Sequence, residues 1–400
     1  AMTRARPTLR ALFEDTLPGA LRDAPEQDGG VTGVTADSRR VTAGGVFVVL
    51  RGTKEDGARF AADAAARGAC AVVAGEDVAL PGLGVPVVRV ADPRGALALL
   101  ARAFHGDPSR ELTVVGVTGT NGKTTTTHLV RGVLEASGRG PCAVLGTIAY
   151  TWPGVERDAP NTTPGADELQ ALLGEARDAG CRAAAMEVSS HGLEQRRTEG
   201  VRFAGAVFTN LTGDHLDYHG TMERYAEVKS RLFRQVDAGG VVAVNAEDPY
   251  AATMLRDVRA RVLRFGIDAT AAPDVYARGL ELTSEGVTFT LVTPDGEAPL
   301  RSALLGRYNV LNLLGAAAVC SGLGVAPADI ARGLGGVRGV RGRLEAVEAG
   351  QPFTVLVDYA HTDDAVSNVL RNLRSVVRGR LVAVLGCGGD RDRTKRPRMA

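Results

Sequence analysis

The sequence predicts an α/β protein of three successive domains whose sheets are mostly parallel. Three observations carry this. Short apolar runs alternate with helical stretches along the whole chain, the pattern of strands joined by helical crossovers. A glycine-rich segment, TGTNGKTTTT (118–127), stands between an apolar strand and a helix. A Gly/Arg-rich run without periodicity, GLGGVRGVRGRLE (333–345), reads as a hinge before the last block. The expected domains are 1–110, 111–341 and 342–400.

In the first block GVFVVL (45–50), CAVVAG (70–75) and VPVVRV (85–90) read as strands, FAADAAARG (60–68) as helical, and a helix starts at Pro93. The second opens with the strand ELTVVGV (111–117), the glycine loop and a helix closing near Gly138. It continues through CAVLGTIA (142–149), a helix entered by Thr163-Pro164 with the threonine as cap, and the strands CRAAAMEV, AGAVFT and VVAV. GLELTSEGVTFTLVTPDG (279–296) reads as an antiparallel hairpin and NVLNLLGAAAVCSGLG (309–324) as a buried helix. The third block has the strand FTVLVDYA (353–360), a helix and the strand LVAVLG (381–386). Only 58 residues follow Gly342 (343–400), short for a domain, so the third domain is expected to be incomplete.

Composition narrows the function classes. Apolar content of 44% and charged content of 23% fit a soluble globular enzyme. A formal net charge of +1 gives no reason to expect a nucleic-acid or anionic-membrane surface. The five cysteines have no zinc spacing and read as reduced thiols. No apolar run approaches 18 residues, and a cytoplasmic location is expected. Of 47 basic residues only Lys54, Lys123, Lys229 and Lys395 are lysine. Where arginine serves almost everywhere, a retained lysine points to a need for the amine itself.

Strand, glycine loop, Lys-Thr and helix together aim backbone N–H groups at phosphates, with Lys123 reaching the outer phosphates and Thr124 a magnesium ion; an incidental Gly/Thr-rich turn is the alternative. The strict pattern fails at its first glycine, where Val117 stands. MEVSSHGL (186–193) places Glu187 at a strand end, as a magnesium ligand, while Ser189 or Ser190 reads equally as a helix cap. In NLTGDHLDYHGTMERYAEVK (210–229), Asp214 and His215 could hold a metal. Asp217 and His219 read as a solvated loop, and Lys229, eight residues into a helix, reads by itself as a surface lysine. VDYAHT (357–362) sets Asp358 and His361 at a strand end. GCGGDRDRTKRP (386–397) reads as an anion-binding turn or a charged surface loop.

Together with ADSR (36–39), NTTP (161–164), NVLN (309–312) and GVRGRLE (339–345), these motifs resemble the Mur ligase family, in family order from about residue 35 to the end. The resemblance is strongest to the branch that adds the third residue of the peptidoglycan stem peptide. It implies a three-domain architecture: a central P-loop-type, mostly parallel sheet domain between an N-terminal UDP-binding domain and a C-terminal Rossmann-like domain. It implies ATP-dependent amide formation through an acyl phosphate, on UDP-N-acetylmuramoyl-L-alanyl-D-glutamate, with meso-diaminopimelate or L-lysine as acceptor. The family motif that selects the acceptor lies beyond Ala400, and diaminopimelate is the commoner acceptor. Another ligase on the same plan, of folylpolyglutamate synthase type, and an inactive nucleotide-sugar binder are the alternatives.

Residue by residue, the resemblance implies ATP contacts from Gly119, Thr120, Asn121, Gly122, Lys123, Thr124 and Thr125. Asn309 and Asn312 match the adenine side, and Arg343, Asp358 and His361 match third-domain groups closing over ATP. One Mg2+ falls to Thr124 and Glu187, a second to His215 and a carbamylated Lys229. Ser38, Thr53 and Lys54 match the uridine end. Asn161, Thr162, Thr163, Ser189, Gln195 and Arg197 match the muramoyl dipeptide site, and Arg391 the incoming amino acid. The chain departs from the family pattern at Asp363, usually proline, and Gly213, usually larger and polar. A monomer is expected.

Overall fold

The computed structural model describes residues 5–20, 30–52, 56–214, 216–361, 363–387 and 395–400. Thr53, Lys54, His215 and Arg391, and the side chain of Asp217, lie outside these. The chain divides into two compact units. One comprises Ala1–Leu112, Thr163–Cys181 and His191–Arg202; the other comprises Thr113–Thr162, Arg182–Ser190 and Phe203–Ala400.

In the first unit, strands β1 (Val34–Thr35), β2 (Val46–Val48), β3 (Ala71–Gly75) and β4 (Val87–Val90) form a parallel sheet in that order. Both faces of β2 are covered, which explains its unbroken apolar run. Val46 and Val48 pack with Leu12, Phe13 and Leu97. Phe47 and Val49 pack with Ala61 and Ala64 of the opposite face. Helix Ala166–Asp178, borrowed from the middle of the chain, lies against helix Pro93–Phe104 and is tied to the sheet by Thr35 Oγ1 donating to Asp167 at 3.0 Å. The Thr163-Pro164 start is corrected: the helix begins at Ala166 with Gly165 as a cap lacking a side-chain bond. Thr163 is buried instead, its carbonyl accepting from Arg197 Nη1 at 2.7 Å.

The second unit is built on a sheet of eleven strands among the described residues. These are β5 (Thr113–Thr118), β6 (Cys142–Leu145), β7 (Ala149–Trp152), β8 (Val155–Asp158), β9 (Ala183–Glu187), β10 (Phe203–Phe208), β11 (Val236–Asn245), β12 (Arg261–Gly266), β13 (Val275–Thr283), β14 (Gly286–Thr293) and β15 (Gly296–Ser302). Their order is β15-β14-β13-β12-β11-β10-β5-β9-β6-β7-β8. Pairing is parallel from β13 through to β6 and antiparallel in the hairpins at both ends.

Helix Lys123–Ala136 and the buried helix Arg307–Gly322 cover one face of this sheet, around Val115, Val117, Leu129, Leu313 and Ala317. Helix Pro327–Gly336 packs on the first of these at a glycine contact: a Cβ on Gly333 would sit 2.8 Å from the Gly132 carbonyl. The predicted hinge is therefore shorter, because residues 333–336 are helical, with Gly333 and Leu334 buried. Helix Met222–Arg234 crosses the other face, where Phe233 meets Phe208 edge-on at 6.4 Å and Leu232 presses on Gly116.

In the last block Glu345–Val347 pairs antiparallel with Val355–Val357, followed by helix Asp363–Val376. The expected strand LVAVLG is a correction: residues 381–386 carry no ladder, and Val384 is 95% exposed. An apolar run becomes a strand only where a neighbour accepts its backbone bonds, and none does so among the described residues.

Candidate active site

The parallel registers deliver the site. Val117 of β5 lies beside Glu187 at the end of β9, and Thr118 beside Phe208 at the end of β10. The residues after these strands therefore emerge together at the carboxyl edge, where α/β sheets bind ligands. The loop after β5 needs its glycines. Gly119 has φ 149° and a Cβ there would run into Thr209 Oγ1; Gly122 has φ 87° and faces Asn312 Oδ1. The segment after β10 clamps the loop: Thr209 Oγ1 donates to the Asn121 carbonyl at 2.6 Å, and Asn121 N–H donates to Asn210 Oδ1 at 3.0 Å.

A cavity of about 550 Å³ opens over this edge. Thr120, Asn121, Gly122, Lys123, Thr124 and Thr125 line it, as do Glu187, Asn309, Asn312, Arg343, Asp358 and His361, so sequence-distant candidates converge. Lys123 folds back over its own loop, Nζ donating to the carbonyls of Gly119 at 2.9 Å and Thr120 at 2.8 Å. Burial lowers its pKa, opposed by the charges of Glu187 and Asp214. Arg343 Nη2 donates to Thr124 Oγ1 at 3.0 Å, and Asp358 braces the same turn by accepting from Leu344 N–H at 2.8 Å. Asn312 Nδ2 donates to Asn309 Oδ1 at 3.0 Å, locking the pair behind Gly122.

Lys229 overturns its ordinary reading. It is 1% exposed, and its Nζ donates to the Gly119 carbonyl at 3.0 Å, 4.6 Å from the Tyr225 ring centroid. Tyr225, Val228, Leu232 and Phe233 are buried on the same helix, so positions 225, 228, 229, 232 and 233 form one inward stripe with the lysine in it. That periodicity was visible in the sequence. Desolvation, then the charge of Lys123, drives the Lys229 pKa well below its usual range; Asp214 opposes this. His219 is also corrected. It is buried rather than solvated, bonding Ser190 Oγ at 2.9 Å and stacking on Tyr225 at 5.0 Å.

The substrate candidates fall in both units. Ser38, in a turn capped by Asp37, lies in the first, as do Thr163, Gln195 and Arg197, whose guanidinium also donates to Gln195 Oε1 at 2.9 Å. Asn161, Thr162 and Ser189 lie in the second; Asn161 accepts from the Tyr150 hydroxyl at 2.7 Å. Sequence reasoning missed Thr147, Asn210 and Tyr308 of the cavity wall. Tyr308 immediately precedes NVLN and could have been found from it; Thr147 has no local signal.

Three family models match the chain: the Mur ligase family catalytic domain over 30–105, the Mur ligase middle domain over 117–320, and the Mur ligase glutamate ligase domain over 342–400. The chain belongs to the Mur ligase family. A UDP-N-acetylmuramoyl-L-alanyl-D-glutamate--2,6-diaminopimelate ligase of Geobacter sulfurreducens is 47% identical to this Mur ligase over 376 residues, covering 92% of this chain and 73% of the relative. The Gloeobacter violaceus protein of the same name is 45% identical over 379 residues, covering 94% and 76%. A solved structure of a ligase with that name superposes with TM-score 0.77 at 33% identity, covering 97% of this chain and 79% of that one. The three-domain, mostly parallel α/β architecture is thus the family's.

The donor set of this Mur ligase fits magnesium. Among the described residues no three His, Cys, Asp or Glu side chains group to hold a metal. Magnesium needs no such cage: it keeps several waters and takes one or two protein oxygens plus phosphates. Glu187, 1% exposed at the cavity wall, is such an oxygen donor, and Gly146 leaves room for its carboxylate where a Cβ would strike it. No described helix is long and apolar enough to cross a membrane.

Proposed function

We propose that this chain joins 2,6-diaminopimelate to UDP-N-acetylmuramoyl-L-alanyl-D-glutamate at the expense of ATP, in peptidoglycan precursor synthesis. The observation that carries the chemistry is Lys229, a buried amine turned onto the phosphate loop. The names of the relatives support the choice of acceptor.

The reaction brings anions together. A γ-carboxylate oxygen of the D-glutamate attacks the ATP γ-phosphorus as the bond to ADP breaks. The acceptor amine then attacks the acyl carbon, phosphate leaves, and the amine gives up its proton. Lys123 and Arg343 face the cavity as cations positioned against this charge. Thr124 and Glu187 would hold one Mg2+, and His215 with Lys229 a second; the ions would neutralise phosphate charge. Lys229 reaches that role as a carbamate: its neutral amine forms an N–C bond to CO2 and loses a proton, becoming an oxygen ligand. The depressed pKa favours the neutral amine this step needs. Asn309 and Asn312 are assigned to the adenine side. Ser38, Thr53 and Lys54 are assigned to uridine, and Thr162, Thr163, Ser189, Gln195 and Arg197 to the muramoyl dipeptide.

Phosphate release tests the reading. It is expected only with ATP, the UDP-dipeptide and diaminopimelate together. Equal release with L-lysine would overturn the acceptor, and ATP binding without any turnover would favour a binding protein.

A further inference from the structure

We propose that Thr147 is a positioning residue that ties the Glu187 carboxylate to Thr162 through a one-way chain of hydrogen bonds, coupling the metal end of the cavity to its peptide end. The inference rests on the ligase reading for what Glu187 and Thr162 meet.

Thr147 follows β6, and the β6–β9 register pairs Leu145 with Met186, bringing the residues after β6 beside Glu187. Its backbone N–H donates to Glu187 Oε1 at 2.8 Å and its hydroxyl to Oε2 at 3.1 Å. One residue thus holds both carboxylate oxygens. The same hydroxyl lies 3.1 Å from Thr162 Oγ1. All three residues line the one cavity.

Proton counting sets the direction. A hydroxyl has one proton, and a carboxylate only accepts. The charge-assisted bond is the stronger of the two open to Thr147, so its proton belongs to Glu187. Thr162 must then donate to Thr147, which leaves only lone pairs on Thr162 for the cavity. Thr162 therefore recognises a hydrogen-bond donor. In a muramoyl dipeptide that means an N–H or O–H group, not a carboxylate or carbonyl oxygen. A hydroxyl bonded to a metal-binding carboxylate in this way fixes the direction of the carboxylate's lone pairs and with it the affinity for the cation.

Two affinities test the chain in wild type, Thr147→Val, Thr147→Ser and Thr162→Val: Mn2+ in the presence of ADP, by electron paramagnetic resonance, and the UDP-muramoyl dipeptide, by calorimetry. Thr147→Val, nearly isosteric, is expected to weaken Mn2+ by about 10-fold and the dipeptide by about 5-fold. Thr147→Ser should retain both, and Thr162→Val should weaken the dipeptide alone. Unchanged Mn2+ affinity in Thr147→Val, or an equal loss in Thr147→Ser, would overturn the proposal, the latter because the methyl group would then be what matters. If wild type binds Mn2+ and ADP but not the dipeptide, the ligase reading falls, while the Val and Ser comparison on Mn2+ still decides the clamp.

Discussion

Lys123 and Lys229 share one acceptor, the carbonyl oxygen of Gly119, at 2.9 and 3.0 Å. Two ammonium groups on one carbonyl repel across a short, poorly solvated distance. Lys123 has the charges of both Glu187 and Asp214 to support it and Lys229 only that of Asp214, so the pKa of Lys229 is the one driven well below its usual range. The carbamate proposed for Lys229 would give the scarcity of lysine a physical reason, since a guanidinium cannot surrender its proton or take up CO2.

Lys229→Met should lower turnover by more than about 100-fold, because it removes the group proposed to face the metal, and added bicarbonate should not restore it. The same variant should be more stable at neutral pH, since it no longer has a lysine proton to give up on folding. The sign follows from the depressed pKa. The unfolded chain binds more protons below the ordinary lysine range, so wild-type stability rises with pH toward that range and the gap to the variant closes. Urea unfolding at several pH values, with phosphate release in parallel, checks both.

Arg343 Nη2 donates to the Thr124 hydroxyl and so occupies one of its lone pairs. A cation at Thr124 competes for that oxygen. Arg343→Ala is expected to tighten Mn2+ binding with ADP by about 5-fold, the worth of one hydrogen bond, while lowering kcat. Weaker Mn2+ binding in the variant would show that the guanidinium's hold on the nucleotide outweighs its competition for Thr124.

Gly146→Ala should displace the Glu187 carboxylate, since the added Cβ meets its Oε1. A loss of about 10- to 100-fold in Mn2+ affinity is expected, measured beside ADP binding in the absence of metal, which should hold.

His128 lies on the phosphate-loop helix, and burial, with Arg131 assisting, lowers its pKa to about 4. The unfolded value is higher, so stability is fully present above about pH 6.5 and is lost as pH falls through about 4. Complete protonation costs on the order of 3 kcal/mol. His128→Gln should flatten the unfolding free energy across that window; an unchanged slope in urea melts would show that another group carries it.

Much of this site was legible from local pattern. The glycine loop, Glu187 at a strand end and the buried helix that presents Asn309 and Asn312 each announce themselves within a few residues. The burial of Lys229 could also have been read, since Tyr225, Val228, Leu232 and Phe233 mark the face it stands on. Thr147 could not, because its role exists only through the register that sets β6 against β9. LVAVLG and the Thr163 cap failed for a related reason: apolar runs and cap residues are local preferences, and pairing and packing overrule them.

The sequence by itself determined the α/β class, the order of the motifs and the residue types available for phosphate and metal, because periodicity and spacing are properties of neighbours along the chain. Tertiary structure alone decided which oxygen two lysines would share, which face of a helix would lose its water, and which hydroxyl would hold Glu187. Those outcomes depend on desolvation and hydrogen-bond geometry between residues as far apart as Gly119 and Lys229, distances that only folding closes.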